Sequence, residues 1–146
     1  MSVKREFSAG GIVYRRQKGK LQWLLVKHSS YQKWGFPKGR IGDQQKETAE
    51  ETARREVQEE GGVKAKIIQK IPQKVQYFYV ADGQKIFKTV TFYLMEYQSG
   101  NPANHDWEMA DARWFTTQEA KKHLGFKNEK EVFKAAQKLL QEISKK

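Results

Sequence analysis

An α/β layered sandwich is the fold class this sequence predicts, and three observations carry the prediction. Several stretches rich in β-branched and aromatic residues flank one central run of good helix formers. An amphipathic helical pattern closes the chain. No linker or internal repeat splits the 146 residues, so residues 1–146 read as a single domain, long enough for its own core.

Residues 6–15 and 21–27 read as strands, joined by the basic, glycine-containing turn Gln17-Lys-Gly-Lys20. Residues 29–42 are punctuated by Gly35, Pro37, Gly39 and Gly42 and read as a loop. The helix over 48–61 has no proline and meets a Gly61-Gly62 stop. Residues 64–71 and 73–80 follow as strands, the second ending at the turn signal Ala81-Asp-Gly-Gln84. Residues 85–97 form the strongest strand pattern in the chain. After a loop with Gly100 and Pro102, residues 112–115 are a short strand. Thr116-Thr-Gln-Glu119 has the form of a capping box opening a helix, and 129–143 is the amphipathic closing helix.

Composition narrows the function. A hydrophobic fraction of 38%, with eight Phe, six Tyr and four Trp, supports a globular chain. The absence of cysteine excludes disulfides, thiolate chemistry and Cys-based zinc sites, and makes a cytoplasmic setting the expectation. The N-terminus lacks an apolar signal region, and no run approaches the roughly 20 apolar residues of a membrane helix. No membrane association and no obligate protein partner are therefore expected. A formal charge of +11 favours an anionic partner: nucleic acid, nucleotide or another phosphorylated ligand. The cations are dispersed and form no continuous stripe with interleaved aromatics, so charge gives only the sign of the partner.

The central helix carries the sharpest signal. At about 100° per residue, Ala49, Ala53 and Val57 make one apolar stripe. Glu56 and Glu60 fall on or beside it, Glu59 sits one step off its edge, and Glu51, Arg54 and Gln58 point away. An unpaired carboxylate on a packed face is costly, so acids turned inward call for cations. Hard divalent metal ions, which take oxygen ligands, are one such kind. The plainer reading is a solvated helix with i,i+4 pairs such as Arg55 with Glu59, and spacing alone does not choose between them.

Gly39 and Glu47, followed by Arg55-Glu-Val-Gln-Glu-Glu-Gly-Gly-Val63, resemble the Nudix box. That signature has a glycine, a spaced glutamate, then Arg-Glu-aliphatic-x-Glu-Glu-x-Gly-aliphatic. Each position from Glu47 to Val63 fits; seven residues separate Gly39 from Glu47, two more than the signature usually has. Trp34-Gly-Phe-Pro-Lys-Gly39, residues 86–95 and residues 106–114 further resemble the diadenosine tetraphosphate hydrolase branch. The resemblance implies a Nudix-type α/β/α sandwich with a mixed β-sheet. It also implies metal-dependent hydrolysis of a nucleoside polyphosphate, foremost diadenosine tetraphosphate to ATP and AMP. An RNA 5′-pyrophosphohydrolase, another Nudix pyrophosphatase, or a non-catalytic nucleotide-binding module are the alternatives.

By the same resemblance, Glu56, Glu59 and Glu60 would be catalytic and hold Mg²⁺ or Mn²⁺, with Glu108 and the Gly39 carbonyl as further ligands. Arg55 would orient these carboxylates, and Glu47 would be structural. Lys38 would contact substrate phosphate. Lys88 interrupts the row Ile86, Val90, Phe92, Leu94, which suits a phosphate ligand at a cleft edge. Tyr77 and Tyr79 share a strand face; Tyr79 would stack on adenine, with Phe126 as the opposite wall. His28, His105 and His123 lack metal-ligand spacing, and Trp23, Trp34, Trp107 and Trp114 read as core or loop anchors.

Overall fold

A computed structural model of the protein describes residues 2–42 and 46–145. Among these, eight strands form one mixed sheet: β1 (Lys4–Gln17), β2 (Lys20–His28), β3 (Trp34–Gly35), β4 (Lys38–Arg40), β5 (Val63–Lys70), β6 (Val75–Ala81), β7 (Gln84–Gly100) and β8 (Met109–Thr116). The helices are α1 (Ala49–Gly61), α2 (Thr117–His123) and α3 (Lys127–Ser144), with a 3-10 turn at Pro102–Asn104.

The sheet is organised around β1 and β7, which pair in parallel from Lys4↔Ile86 to Tyr14↔Glu96. The other edge of β1 is shared: its early residues pair β4 and its last residues pair β2, both antiparallel. β7 likewise pairs β6 through its first half and β5 through its second. β8 and β3 flank β2. The expected α/β/α sandwich with a mixed sheet is the observed architecture.

Strand alternation sends the two faces of β1 and β7 into different cores. Ala9, Val13, Tyr93 and Met95 meet Ala53 and Val57 of α1. Ile12, Val90, Phe92 and Leu94 meet Phe133, Ala136 and Leu140 of α3 on the opposite face. The predicted stripe of α1 is thus its packed face, although Thr52 is also fully buried. Thr48 caps α1 in a capping box with Glu51, and Thr116 caps α2 in the same way with Glu119. Gly62 ends α1 at φ 72°, where a side chain would also strike the Asn101 carbonyl.

Three expectations are corrected. The stretch 29–42 is not wholly loop: β3 and β4 form within it, because backbone groups brought beside β2 and β1 find ladder partners there. The last strand extends beyond 112–115 for the same reason, pairing β2 from Gln22↔Thr116 to His28↔Met109. Trp107 anchors nothing: it is 87% exposed, whereas Trp23 is fully buried and meets Phe133 edge-on at 5.0 Å. The longer stretch between Gly39 and Glu47 falls in part outside the described residues.

The indole Nε1 of Trp23 donates to Thr117 Oγ1 at 2.8 Å, tying α2 to the core. Thr117→Val keeps the shape and leaves that buried donor without its partner. A loss of about 1–2 kcal/mol in denaturant unfolding, with an unchanged m-value, is the expected result.

Candidate active site

The acid cluster is built by one helix, one short strand and one loop. Glu56 and Glu60 lie a turn apart on α1, both buried at 9% and 8% exposure, at the end of the helix that faces β4. The Lys38 backbone N–H donates to Glu60 Oε1 at 3.1 Å. Gly39, beside it, has no side chain for a physical reason: a methyl there would overlap the Glu56 carboxylate. The loop after β7 is fixed by the Asp106 N–H, which donates to the Glu59 carbonyl at 2.8 Å. That bond carries Glu108 to the mouth of the cavity between α1 and β4.

Arg55 organises the outer side of the cluster. Its Nε donates to Glu47 Oε2 at 2.8 Å and its second terminal nitrogen to Glu47 Oε1 at 2.9 Å. Its first terminal nitrogen reaches Glu56 at 3.2 Å and Glu59 at 3.0 Å. The hydrogen bonds to Glu47, then the charges of the other two acids, raise the Arg55 pKa further above its ordinary value.

The inner acids are the electrostatically unusual ones. Burial pushes Glu56 up to about 7, with Arg55 opposing and Glu59 and Glu108 adding repulsion. Burial and then the charge of Glu56 push Glu60 up to about 8, although the Lys38 N–H works the other way. Two carboxylates that resist ionisation side by side are a site that a cation would relieve.

The donor set is all oxygen and suits Mg²⁺ or Mn²⁺. Among the described residues, no three acids or histidines converge tightly enough to enclose an ion alone. The set is therefore open, which fits a cation that takes one or two carboxylates and leaves other positions to water and phosphate.

Two adjoining cavities extend from the cluster. The first, about 260 Å³, is lined by Lys38, Gly39, Glu56, Glu60, Lys88 and Glu108, among others. The second, about 700 Å³, includes Tyr77, Tyr79, Val75 and Tyr31 in its wall. Tyr31, Lys38, Lys88, Phe126 and Glu129 line both. Tyr77 faces Lys88 across the β6–β7 ladder, and the Tyr77 and Tyr79 ring centroids are 6.2 Å apart.

Most of the residues singled out from the sequence are thus brought together in one cleft. Glu59 and Arg55 stand outside both cavity walls, Glu59 with its side chain 38% exposed and turned to Arg55. Two cleft residues, Glu129 and Tyr31, and one buried acid behind the wall, Glu6, escape the sequence reading. Glu129, only 2% exposed, accepts from Lys38 Nζ at 3.0 Å and from the Phe36 N–H at 2.8 Å. Glu6, also buried, accepts from the Tyr79 hydroxyl at 2.5 Å. That bond, with Arg40 and Lys88 nearby, lowers the Glu6 pKa against its burial; the same bond raises Tyr79 to about 12. Tyr31, half exposed, stacks on His28 at 4.4 Å and meets Phe126 edge-on at 5.9 Å. His28 is hence part of the cleft wall, while His123 packs against Phe115.

A NUDIX domain profile matches residues 4–136. A protein of Mycobacterium tuberculosis strain CDC 1551, carried under the provisional name mutator protein MutT4, is 34% identical over 110 residues. The match covers 75% of this chain but only 43% of that relative, so the chain spans less than half of the relative's length. The crystal structure of a C. elegans Ap4A hydrolase superposes with a TM-score of 0.67 at 22% identity, covering 95% of this chain and 99% of that one. The NUDIX domain of Shewanella oneidensis NrtR, complexed with ADP ribose, gives 0.74 at 19% identity, with 96% and 90% covered. At these identities the superpositions speak for the fold.

Proposed function

Because the chain belongs to the NUDIX domain family, we propose that it catalyses metal-dependent hydrolysis of a pyrophosphate bond in a nucleoside polyphosphate. Diadenosine tetraphosphate, cleaved to ATP and AMP, is the substrate that suits the cleft best. The observation that carries the reading is the shared wall: a buried acid cluster and an aromatic cavity adjoin through two lysines. A polyphosphate lying between them would set its reacting phosphorus at the acids and its base among the rings.

Glu56, Glu59 and Glu60, with Glu108 and the Gly39 carbonyl, would hold two or three cations between them, one or two carboxylates to each, and these would neutralise phosphate charge and activate water near neutral pH. The remaining chemistry belongs to the chain. Arg55 keeps the outer carboxylates oriented through its bonds to Glu47, Glu56 and Glu59. Without a cation, burial and mutual repulsion oppose ionising both Glu56 and Glu60 near neutral pH. Lys38 and Lys88 counter the charge of the phosphate chain. Glu6 fixes the Tyr79 ring through its hydroxyl.

An RNA 5′ end bearing a triphosphate would present the same phosphates to the same lysines, and the charge of +11 favours it. Turnover measured with Mg²⁺ across dinucleoside polyphosphates, nucleoside triphosphates, ADP-ribose and 5′-triphosphorylated RNA tests the proposal. Preference for diadenosine tetraphosphate supports it; binding without turnover of any member would leave a nucleotide-binding module.

The aromatic wall makes a separate prediction. Tyr79→Ala or Phe126→Ala should weaken use of diadenosine tetraphosphate by roughly 1–3 kcal/mol, the scale of base stacking on a ring. The loss belongs in KM more than in kcat, since the rings stand away from the reacting phosphorus. Inorganic polyphosphate, having no base, should be little affected. Unchanged KM in both variants would remove adenine from this cavity.

A further inference from the structure

We infer that Glu129 is a positioning residue for the polyphosphate grip, holding the Lys38 ammonium at the junction of the two cavities. The inference rests on the reading of this cleft as a polyphosphate site, and it begins from the way three helices start. In α1 and α2 the glutamate at the third helical position, Glu51 or Glu119, folds back to its own N-cap backbone, completing a capping box. In α3 the N-cap is Phe126, which offers no side-chain hydrogen bond, and the third position is Glu129. This glutamate does not serve its own helix. It crosses to the β3–β4 segment, with Oε1 accepting from the Phe36 N–H and Oε2 from Lys38 Nζ.

The seat is built for it. A methyl group at Gly35 would come within 2.8 Å of Glu129 Oε1, and the residue is 2% exposed. Lys38 is enclosed too, with a side-chain exposure of 23%. Its ammonium forms an ion pair with the Glu129 carboxylate at 3.0 Å. An ammonium has three donors, and Glu129 takes one, so donors remain for an incoming phosphate. Without its partner, a long flexible lysine would swing toward water and lose its aim.

A carboxylate in a polyphosphate site also repels its ligand. Positioning and repulsion therefore predict opposite signs when the charge is removed. Glu129→Gln nearly preserves size and still accepts from Phe36. The probe is inorganic tripolyphosphate, titrated calorimetrically in Mg²⁺ buffer. Positioning predicts binding weaker by about 10-fold, the order of one charge-assisted hydrogen bond lost, with orthophosphate nearly unchanged. In a Lys38→Met background, the same Glu129 change should shift Kd by less than about twofold, because the two residues act as one unit. Glu119→Gln, which alters a true capping glutamate that lines neither cavity, should lower Tm without touching Kd. If Glu129→Gln does not fold, Glu129→Asp, which keeps the charge but withdraws it, should give the same selective loss.

Tighter or unchanged tripolyphosphate binding in Glu129→Gln overturns the inference, as does an equal effect in both backgrounds. Wild-type protein that binds no tripolyphosphate also overturns it. Turnover on the nucleotide panel is a separate readout. Absent hydrolysis with the expected binding pattern would sink the catalytic reading and support the role of Glu129.

Discussion

Glu60→Gln is expected to reduce turnover at least about 10²-fold while leaving the fold in place, the scale seen when an activating or charge-stabilising group is removed. The change is nearly isosteric, and the new side chain keeps an oxygen that can accept from the Lys38 N–H, now at 3.1 Å from Glu60. What disappears is a negative charge placed in the cavity wall beside Glu56. Glu59→Gln should act in the same direction, although its carboxylate also serves Arg55 at 3.0 Å. Steady-state kinetics beside circular dichroism and thermal melts separate chemistry from folding. Wild-type turnover in either variant, or full wild-type activity in excess chelator, would contradict a metal-dependent mechanism.

The same acids make the metal-free protein less stable in alkali. Glu56 and Glu60 have folded-state pKa values of about 7 and about 8, above the carboxylate value of 4.5. Between pH 4.5 and 8 these two groups therefore bind more protons in the folded protein than in the unfolded chain. Their contribution to stability must fall as pH rises through that window. In chelator, the unfolding free energy should drop by about 2–4 kcal/mol between pH 5.5 and 8.5. Carboxylates held below their usual range, such as Glu6, Glu47 and Glu51, titrate on the acid side of this window and do not mask the effect. In Glu60→Gln the drop should shrink, because one of two repelling charges is gone and Glu56 can ionise beside Arg55. Denaturant titrations at the two pH values decide this. A pH-independent midpoint in wild type, or an undiminished drop in Glu60→Gln, would refute the coupling.

Local periodicity determined a good part of this molecule by itself. The helix over 48–61, its glycine stop and its apolar stripe are local, the stripe being written in residues three and four apart, which the α-helix necessarily brings to one face. Its Thr48 capping box escaped the sequence reading. Strand alternation likewise put Lys88 in an apolar row, and Ile86 and Val90 on either side of it are buried. The boundaries of β3, β4 and β8 were not legible, because short strands exist only where a neighbour supplies ladder partners.

Tertiary structure alone decided the rest of the cleft. Glu129 lies 91 residues from Lys38, and Glu6 lies 73 residues from Tyr79. No local pattern records such pairs, since they arise when α3 packs on one face of the sheet and β6 joins β7, which β1 pairs from its other edge. Glu108 is named from the sequence, but its place beside the acids depends on tertiary hydrogen bonds, from the Asp106 N–H to the Glu59 carbonyl and from the Ser29 N–H to the Glu108 carbonyl. The sequence thus named the acids that do the chemistry proposed here. The carboxylates that hold its lysine and tyrosine in place became visible only when distant segments were packed together, since burial obliges such charges to find partners.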